Sequence, residues 1–391
     1  MKIFRKQLTS TFILASALIA AAATFLLIPS LHAQTQAQPK SIDTTLLAKA
    51  NAGDANAQLL VGYAYSAGDE TPLDLTEAAR WYRKAGENGD TTAQFALGWA
   101  YYSGILVPED HIQAANWFHK SAEHPNSIDL SKMPPMLVID KHSYGILGFT
   151  YWEGKDLAQD YTQAAIWFRK SAEQGEEDSQ SFLGLLYYNG QGVLRDYAQA
   201  AFWFRKAAEQ GDADSQFKLG VLYRDGLGVS QNNSIAAEWF HKAAEQGNEL
   251  AQIELGKEYQ HGDGVPKDYI EASSWYRKAA ENGSDLAQSI LGLMYIKGMG
   301  VPVDTKEAIK WLSKAADQGN SEAMFNLGAM YANGKVVKQD LSEAYMWFNL
   351  AAPHFDQAKS MREQIEILMD PKEIAKGQRI TREWLEKHNQ K

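Results

Sequence analysis

A tryptophan recurs every 36 residues over most of this chain, and this spacing constrains the fold more than any other feature. Eight tryptophans follow the interval, with one break between the second and the third: Trp81, Trp117, Trp167, Trp203, Trp239, Trp275, Trp311 and Trp347. Self-similarity at a period of roughly 20–50 residues is typical of solenoids, in which each unit buries its apolar face only against its neighbours. We therefore expect these tryptophans to be structural core residues of the repeats and not ligand-stacking platforms.

Two motifs with helical spacing alternate within each repeat. The first, Ala-Gln-x-x-Leu-Gly-x-x-Tyr, occurs at residues 251–259, and the second, Ala-x-x-Trp-Phe/Tyr-x-Lys-Ala-Ala-Glu-x-Gly, at residues 200–211. At about 100° per residue, the Ala, Leu, Gly and Tyr of the first motif share one helix face. Each repeat is therefore predicted to be a helix-turn-helix, with helix A carrying the first motif and helix B the second. A glycine inside helix A costs about 1 kcal/mol relative to alanine, which predicts that neighbouring backbone or a tryptophan ring lies against it.

Glycines also mark the ends of these helices. A glycine closes helix B in most repeats, where it is expected to adopt the left-handed conformation. In the central repeats a Gly-x-Gly-Val turn joins helices A and B, and Asp196 or its equivalents are placed to cap helix B. The second turn glycine is replaced in four repeats, by Glu70, Leu106, Asp156 and Val336. We expect those turns to differ in shape.

These blocks recur in order and in register, and together they resemble the SEL1-like repeat family, a relative of the tetratricopeptide repeats. The resemblance covers residues 55–352 as eight repeats. It implies an all-α fold, a right-handed superhelical α-solenoid of 36-residue helix-turn-helix units. Residues 42–54 are predicted to form an N-terminal capping helix, and residues 353–391 C-terminal capping helices, one of them opened by the Asp-Pro-Lys-Glu capping sequence at 370–373.

The N-terminus has the pattern of a secretory signal peptide. Lys2, Arg5 and Lys6 precede an apolar run at about 11–28, and cleavage is predicted after Ala33. Residues 34–41 then form a polar linker. The alternative is an uncleaved anchor, because the apolar run approaches the length that spans a bilayer. The signal peptide predicts a periplasmic or secreted protein, and membrane association is expected only if the segment is retained.

Composition excludes several classes of function. The chain has 391 residues, a formal net charge of −10 and no cysteine. The absence of a basic patch argues against nucleic acid as a partner, and the absence of cysteine excludes zinc–thiolate and thiol chemistry. His119 and His241 share one position in helix B and are interpreted as solvated residues. The sequence thus predicts no catalytic residues, no metal site, no cofactor and no enzymatic activity.

One junction departs from the period. Trp117 and Trp167 are 50 residues apart, so 14 extra residues lie at about 124–141. An insertion in a solenoid maps to a loop on one face, and such loops often bind partners. Met133, Pro134, Pro135 and Met136 are therefore candidate contact residues, the alternative being a tolerated surface loop or an apolar segment that is buried.

A stripe on helix A provides the second candidate site. Counting the first residue of the helix A motif as position 0, positions 2, 6 and 9 lie opposite the packing residues. The stripe is aromatic in repeats two to four and becomes polar further on, with Arg224 in repeat five. If helix A lines the inner surface, as the family resemblance implies, a concave groove contains Trp99, Tyr102, Trp152, Tyr188 and Arg224. Aromatic residues and arginine dominate binding hot spots. The alternative is that positions 2 and 6, including Phe95 and Phe149, pack between neighbouring helices A.

The resemblance implies a scaffold that binds another protein through this groove, in the bacterial envelope or at the interface with a host. A competing hypothesis is a cell-wall protein that binds peptidoglycan or β-lactams, or a weak hydrolase. That role has been linked to cysteine-rich relatives, and the lack of cysteine here weakens it. A purely structural spacer is the third possibility.

Overall fold

The computed structural model describes residues 41–68, 71–134 and 141–388. Within these ranges the chain forms nineteen α-helices and two short 3₁₀ helices, without a β-strand. In the same ranges no helix combines the length and the apolar character needed to cross a membrane. The predicted signal peptide and nearly all of the predicted linker lie outside the described residues.

Sixteen of the helices form eight consecutive A–B pairs. Helices A are α2 (Ala55–Ala67), α4 (Thr91–Ser103), α6 (Lys141–Glu153), α8 (Glu177–Asn189), α10 (Ala213–Asp225), α12 (Glu249–His261), α14 (Asp285–Lys297) and α16 (Ser321–Asn333). Helices B are α3 (Leu75–Glu87), α5 (His111–Ala122), α7 (Tyr161–Ala172), α9 (Tyr197–Gln210), α11 (Asn233–Glu245), α13 (Tyr269–Glu281), α15 (Thr305–Asp317) and α17 (Leu341–Ala351). Helix α1 (Thr44–Asn51) precedes the repeats, and α18 (Asp356–Glu366) and α19 (Pro371–His388) follow them. The predicted α-solenoid with capping helices at both ends is confirmed.

Side-chain caps begin the helices, and left-handed glycines end them. Asp196 accepts hydrogen bonds from the backbone N–H groups of Ala198 (2.9 Å) and Gln199 (3.0 Å), which would otherwise lack partners at the first turn of α9. Asn232 does the same for Ile235 in α11. Gly211 closes α9 with a φ of 122°. The capping and closing roles predicted from the motifs are confirmed at these positions.

The second glycine of the turn between helices A and B is required because a side chain there would clash with the preceding helix B, in addition to its backbone conformation. A Cβ atom on Gly192 would lie 2.1 Å from the carbonyl oxygen of Tyr161, in the first turn of the preceding helix B. Leu106 nevertheless keeps the left-handed conformation, with a φ of 74°, so the predicted change of turn shape is wrong there. Its side chain lines an apolar crevice with Tyr82 and Leu97, and this burial offsets a strain of about 1–2 kcal/mol. Asp156 and Val336 do not adopt a positive φ, and Glu70 lies outside the described residues.

The residue after each repeat tryptophan is the side chain that fills the space over the helix A glycine. A Cβ atom on Gly220 would lie 2.6 Å from the Phe240 ring, and one on Gly98 would lie 2.4 Å from the Phe118 ring. The prediction of a close neighbour at this glycine is confirmed, but the suggested tryptophan ring is wrong. Helix A and helix B of one repeat therefore approach each other through a glycine and a phenylalanine, tyrosine or leucine.

The tryptophans occupy a more variable environment. Trp167 is fully buried, whereas Trp203 and Trp239 are only half-buried, which departs from the prediction that all eight are core residues. The tryptophans contact both the preceding helix B and the partner helix A. The Trp275 ring lies 5.4 Å from His241 of the preceding helix B, and the Trp167 ring stacks on Tyr144 of its partner helix A at 6.0 Å. The Lys242 ammonium lies over the Trp239 ring, 4.0 Å from its centroid. The solvent-facing edge of such a tryptophan is therefore shielded from water by nearby surface side chains.

A ladder of buried side-chain amides joins successive repeats. Gln216 on α10 donates a hydrogen bond to the carbonyl of Ala208 in the preceding helix B (3.0 Å) and accepts one from Gln246 at the end of the following helix B (2.8 Å). The first of these bonds recurs at five other glutamines, namely Gln58, Gln94, Gln180, Gln252 and Gln288. The recurring glutamine of the helix A motif therefore satisfies the carbonyl groups at the ends of helices B.

Candidate partner-binding surface

Six aromatic side chains on three successive helices A form a partly exposed surface, which we call the aromatic face. Its members are Trp99 and Tyr102 on α4, Phe149 and Trp152 on α6, and Phe182 and Tyr188 on α8. Each of them is half-buried, so it contributes both to packing and to the surface. The structure thus brings together four of the residues predicted to line the groove.

The rings of the aromatic face hold one another in place. Trp152 lies 5.7 Å from Phe149 and 5.3 Å from Phe182, measured between ring centroids. Trp99 meets Tyr102 edge to face at 5.4 Å, and Tyr102 stacks on His111 at the same distance. Burial raises the pKa of the Tyr102 hydroxyl, and the nearby Thr150 side chain partly opposes this rise. These rings are therefore ordered before any partner arrives.

Phe182 lies outside the predicted stripe, at position 3 of its helix. Its ring stacks on Phe168 of helix B, 5.0 Å away and nearly parallel. It projects between α6 and α8 to reach Phe149 at 5.6 Å. Position 3 is aromatic in no other repeat, so the sequence does mark Phe182 as unusual. The periodicity of the stripe does not select it, because the stripe contains only positions 2, 6 and 9.

Phe95 belongs to the core. It is fully buried and contacts Tyr144 (5.2 Å) and Trp167 (5.3 Å) of the third repeat. The alternative interpretation, in which positions 2 and 6 pack between neighbouring helices A, describes the contact of Phe95 with Tyr144, and Phe95 also reaches Trp167 on helix B. These contacts join the second repeat to the third across the insertion.

The described part of the insertion is packed against the solenoid. It contains two 3₁₀ helices, Pro125–Ser127 and Leu130–Lys132, and the backbone N–H of Asp129 donates a hydrogen bond to the Thr92 hydroxyl at 3.0 Å. Met133 is 5% exposed and belongs to the core cluster of the first four repeats, and Pro134 is also buried. The hypothesis that Met133 and Pro134 contact a partner is therefore corrected, because their apolar surface is already covered by this chain. Pro135 and Met136 lie outside the described residues.

Arg224, the predicted cation of the groove, is engaged within the chain. Its guanidinium lies 2.9 Å from the Glu254 carboxylate on the next helix A and 2.8 Å from Asp225. Hydrogen bonding to Asp225 is the main cause that raises the pKa of Arg224. The Lys257 ammonium also pairs with Glu254, at 2.8 Å. Arg224 therefore links two repeats and offers a partner no unpaired charge.

Glu258 on α12 is a buried carboxyl group at a core position. It is 5% exposed, and neither carboxyl oxygen has a hydrogen-bond partner among the described residues. The equivalent residues of the neighbouring repeats are Leu222 and Met294. Burial, reinforced by the nearby Glu254, raises the pKa of Glu258 to about 8. A charged residue at a repeat position that is uncharged in every other repeat was a signal present in the sequence, although no role was predicted for it.

The described residues contain no group of three or more His, Asp or Glu side chains that is placed to hold a metal ion. The aromatic face provides apolar contact area. Preordered aromatic rings bury much apolar surface at low entropic cost, which suits recognition of another macromolecule.

Comparison with known proteins identifies the family. The Sel1 repeat model matches eight segments: residues 55–90, 91–126, 144–176, 177–212, 213–248, 250–284, 285–320 and 321–352. The chain therefore belongs to the Sel1 repeat family, and it is a scaffold-type repeat protein of a class that commonly mediates protein–protein interaction.

Two solved structures resemble it over most of its length. One is c5321 of uropathogenic Escherichia coli, described as a protective antigen displaying an SLR fold, with 34% identity, a TM-score of 0.60, and coverage of 89% of this chain and 72% of that chain. The other is a Sel1 repeat protein from Oxalobacter formigenes, with 29% identity, a TM-score of 0.53, and coverage of 88% and 99% respectively. A comparison with curated proteins found no match.

Proposed function

We propose that this protein is an exported, non-enzymatic scaffold that binds a partner protein through a concave surface lined by helices A, with the aromatic face as the main contact. The half-buried aromatic rings on α4, α6 and α8 carry this proposal. Tryptophan and tyrosine are enriched among the residues that dominate protein–protein binding energies. Phe149, Trp152 and Phe182 adjoin one another and are each partly exposed, and contiguous apolar patches mark interaction sites.

The preordering of the rings strengthens the argument. Phe149, Trp152 and Phe182 contact one another at 5.3–5.7 Å, so their rotamers are restricted before binding. A partner that packs on them loses less side-chain entropy than it would on isolated surface rings. The aromatic face therefore has both the chemistry and the rigidity of a binding hot spot.

The compartment is proposed from the N-terminal sequence and from one relative. Export is supported by the basic residues Lys2, Arg5 and Lys6 and by the apolar run that follows them. The Escherichia coli relative is described as a protective antigen, which is consistent with a protein of the envelope or the cell surface. We place this chain in the periplasm, at the surface or outside the cell.

Binding is tested by capturing the partner with the mature protein. Residues 34–391 serve as bait for chemical crosslinking in the native envelope and in host-cell lysate, and crosslinked species are identified by mass spectrometry. The variant Trp152→Leu/Tyr188→Leu keeps apolar contacts but removes both rings, and it is expected to lose the crosslinked species while retaining its helical circular dichroism.

Phe202→Leu provides the matched control. Phe202 is an aromatic residue on helix B of repeat four and is 48% exposed. Its replacement is expected to leave capture unchanged. Equal capture by the wild type and by the double variant contradicts the proposed surface.

Export is tested separately. The protein recovered from the periplasm or the medium of its own cells is expected to begin at Gln34, because the signal peptide is removed after Ala33. N-terminal sequencing measures this directly. An intact N-terminus in the cytoplasmic fraction contradicts export, and an intact N-terminus in the membrane fraction supports the anchor instead.

A further inference from the structure

A cleft opens between helices A of repeats six and seven, α12 and α14. Its volume is about 280 Å³, and it is open to solvent on one side. Leu293 and Met294 of α14 form one wall, and Tyr276 of helix B forms the floor. The cleft lies several repeats beyond the aromatic face, on the same set of helices.

The two helices A beside the cleft carry no aromatic residue at position 6. Position 6 of helix A holds Trp99 in repeat two and Phe149 in repeat three, but Lys257 in repeat six and Leu293 in repeat seven. The Lys257 ammonium is held by Glu254 at 2.8 Å, one turn back along α12. The side of the cleft formed by α12 therefore carries a lysine paired to its own helix, and the side formed by α14 carries a leucine.

The rim of the cleft carries basic side chains, although the whole chain carries a net charge of −10. Lys257, His261 and Lys297 line it, and no carboxylate does. Lys257 is neutralised by Glu254, whereas Lys297 is exposed and has no ion pair among the described residues. The His261 Nδ1 atom lies 2.9 Å from the Lys257 carbonyl oxygen of its own helix. Lys297 is thus the charge available to a ligand.

These features select a ligand with an apolar part and an adjacent negative charge. The volume exceeds the ~150 Å³ of an apolar cavity that accommodates benzene, so a phenylalanine, leucine or methionine side chain fits. An anion beside that side chain meets the Lys297 ammonium at the rim. Neutral or basic segments gain no such contact.

We propose that this cleft binds an extended segment of the partner protein by seating one apolar side chain against Tyr276 and Leu293 and pairing a neighbouring Asp or Glu carboxylate with Lys297. This inference rests on the proposed function, since it adds a second and more selective contact to the same interaction. The aromatic face supplies contact area, and the cleft recognises a short acidic–apolar sequence.

The test uses a phage-displayed library of random octapeptides, panned on the mature protein. Two variants alter the cleft with residues that the chain already uses at the same positions of repeat three. Leu293→Phe introduces the residue type of Phe149 and fills the cleft, and Lys297→Glu introduces that of Glu153 and reverses the charge. Lys306→Glu makes the same charge change at an exposed position on α15 and serves as the control.

The wild type is expected to enrich peptides in which Phe, Leu or Met is adjacent to Asp or Glu. Synthetic copies of these peptides are expected to bind Leu293→Phe and Lys297→Glu at least about tenfold more weakly in fluorescence anisotropy, because each variant removes one of the two contacts and the second adds repulsion. Lys306→Glu is expected to bind them as the wild type does.

The outcomes separate this inference from the proposed function. Enriched peptides that lack the acidic–apolar pair, or that bind both cleft variants as tightly as the wild type, overturn the cleft assignment and leave the aromatic face standing. A library that yields no binder also overturns the assignment. Loss of capture through Trp152→Leu/Tyr188→Leu depends on neither result.

Discussion

Replacing Glu258 with methionine is expected to stabilise the protein by an amount that grows with pH. The carboxyl group is 5% exposed, and its oxygens have no hydrogen-bond partner among the described residues. Methionine occupies the equivalent position in the next two repeats, as Met294 and Met330, so the fold accepts it. The substitution removes an ionisable group from an apolar site without leaving a cavity.

The magnitude follows from the raised pKa of Glu258. Burial moves it from an ordinary 4.5 to about 8 in the folded state. Between these values the unfolded chain has released the proton and the folded chain still holds it, so the wild type loses stability as the pH rises. The resulting penalty is about 1 kcal/mol at pH 5 and about 3 kcal/mol at pH 7, and it levels off above pH 8.

Urea unfolding at pH 5 and pH 7, combined with hydrogen exchange of the α12 amides, measures this penalty. Hydrogen exchange is included because repeats of a solenoid open locally. The free-energy difference between Glu258→Met and the wild type is expected to increase by about 2 kcal/mol between the two pH values. Glu249→Met, on the exposed start of the same helix, is expected to change stability by less than about 0.5 kcal/mol at both. An equal Glu258→Met effect at pH 5 and pH 7 refutes the reasoning, because it means that the folded protein ionises Glu258 normally.

Four further substitutions test the packing of the repeats, each by denaturant unfolding with hydrogen exchange of the affected repeat. Phe204→Ala is expected to cost about 3–5 kcal/mol, because Phe204 is fully buried over a glycine. Trp203→Ala is expected to cost clearly less, since Trp203 is half-buried; the reverse order contradicts the assignment of the core. Gln216→Met is expected to cost about 1–3 kcal/mol by breaking the amide ladder, and an unchanged stability shows that water replaces those bonds. Gly220→Ala is expected to cost about 1–3 kcal/mol, because its Cβ atom meets the Phe240 ring at 2.6 Å; a neutral result shows that the ring moves freely.

The sequence was most informative wherever a residue recurs. The 36-residue interval, the glycines that close helices and the Asp196-type caps depend on contacts within one repeat or between adjacent repeats. The same contact is therefore made many times, and its residues appear as a pattern. Fold class, helix order and cap residues follow from such a pattern, because local backbone geometry and helix periodicity determine them.

An interaction that occurs only once in the chain produces no periodic sequence pattern from which it could be predicted. Phe182 reaches Phe149 only because α6 and α8 lie side by side, and Arg224 is linked to the next repeat only because Glu254 lies on the neighbouring helix. The periodicity likewise does not distinguish between the two aromatic residues of the Trp-Phe pair, because both recur at the same interval. Only the approach of helix A through its glycine places the phenylalanine in the core.

The sequence by itself thus determined that the chain is a Sel1-type α-solenoid, how many repeats it has, and where the period breaks. The tertiary structure decided which aromatic rings remain partly exposed, that Met133 in the insertion is buried, and that a cleft opens beside Lys297. The physical reason is that secondary structure is set by neighbours along the chain, whereas burial and charge pairing are set by neighbours in space.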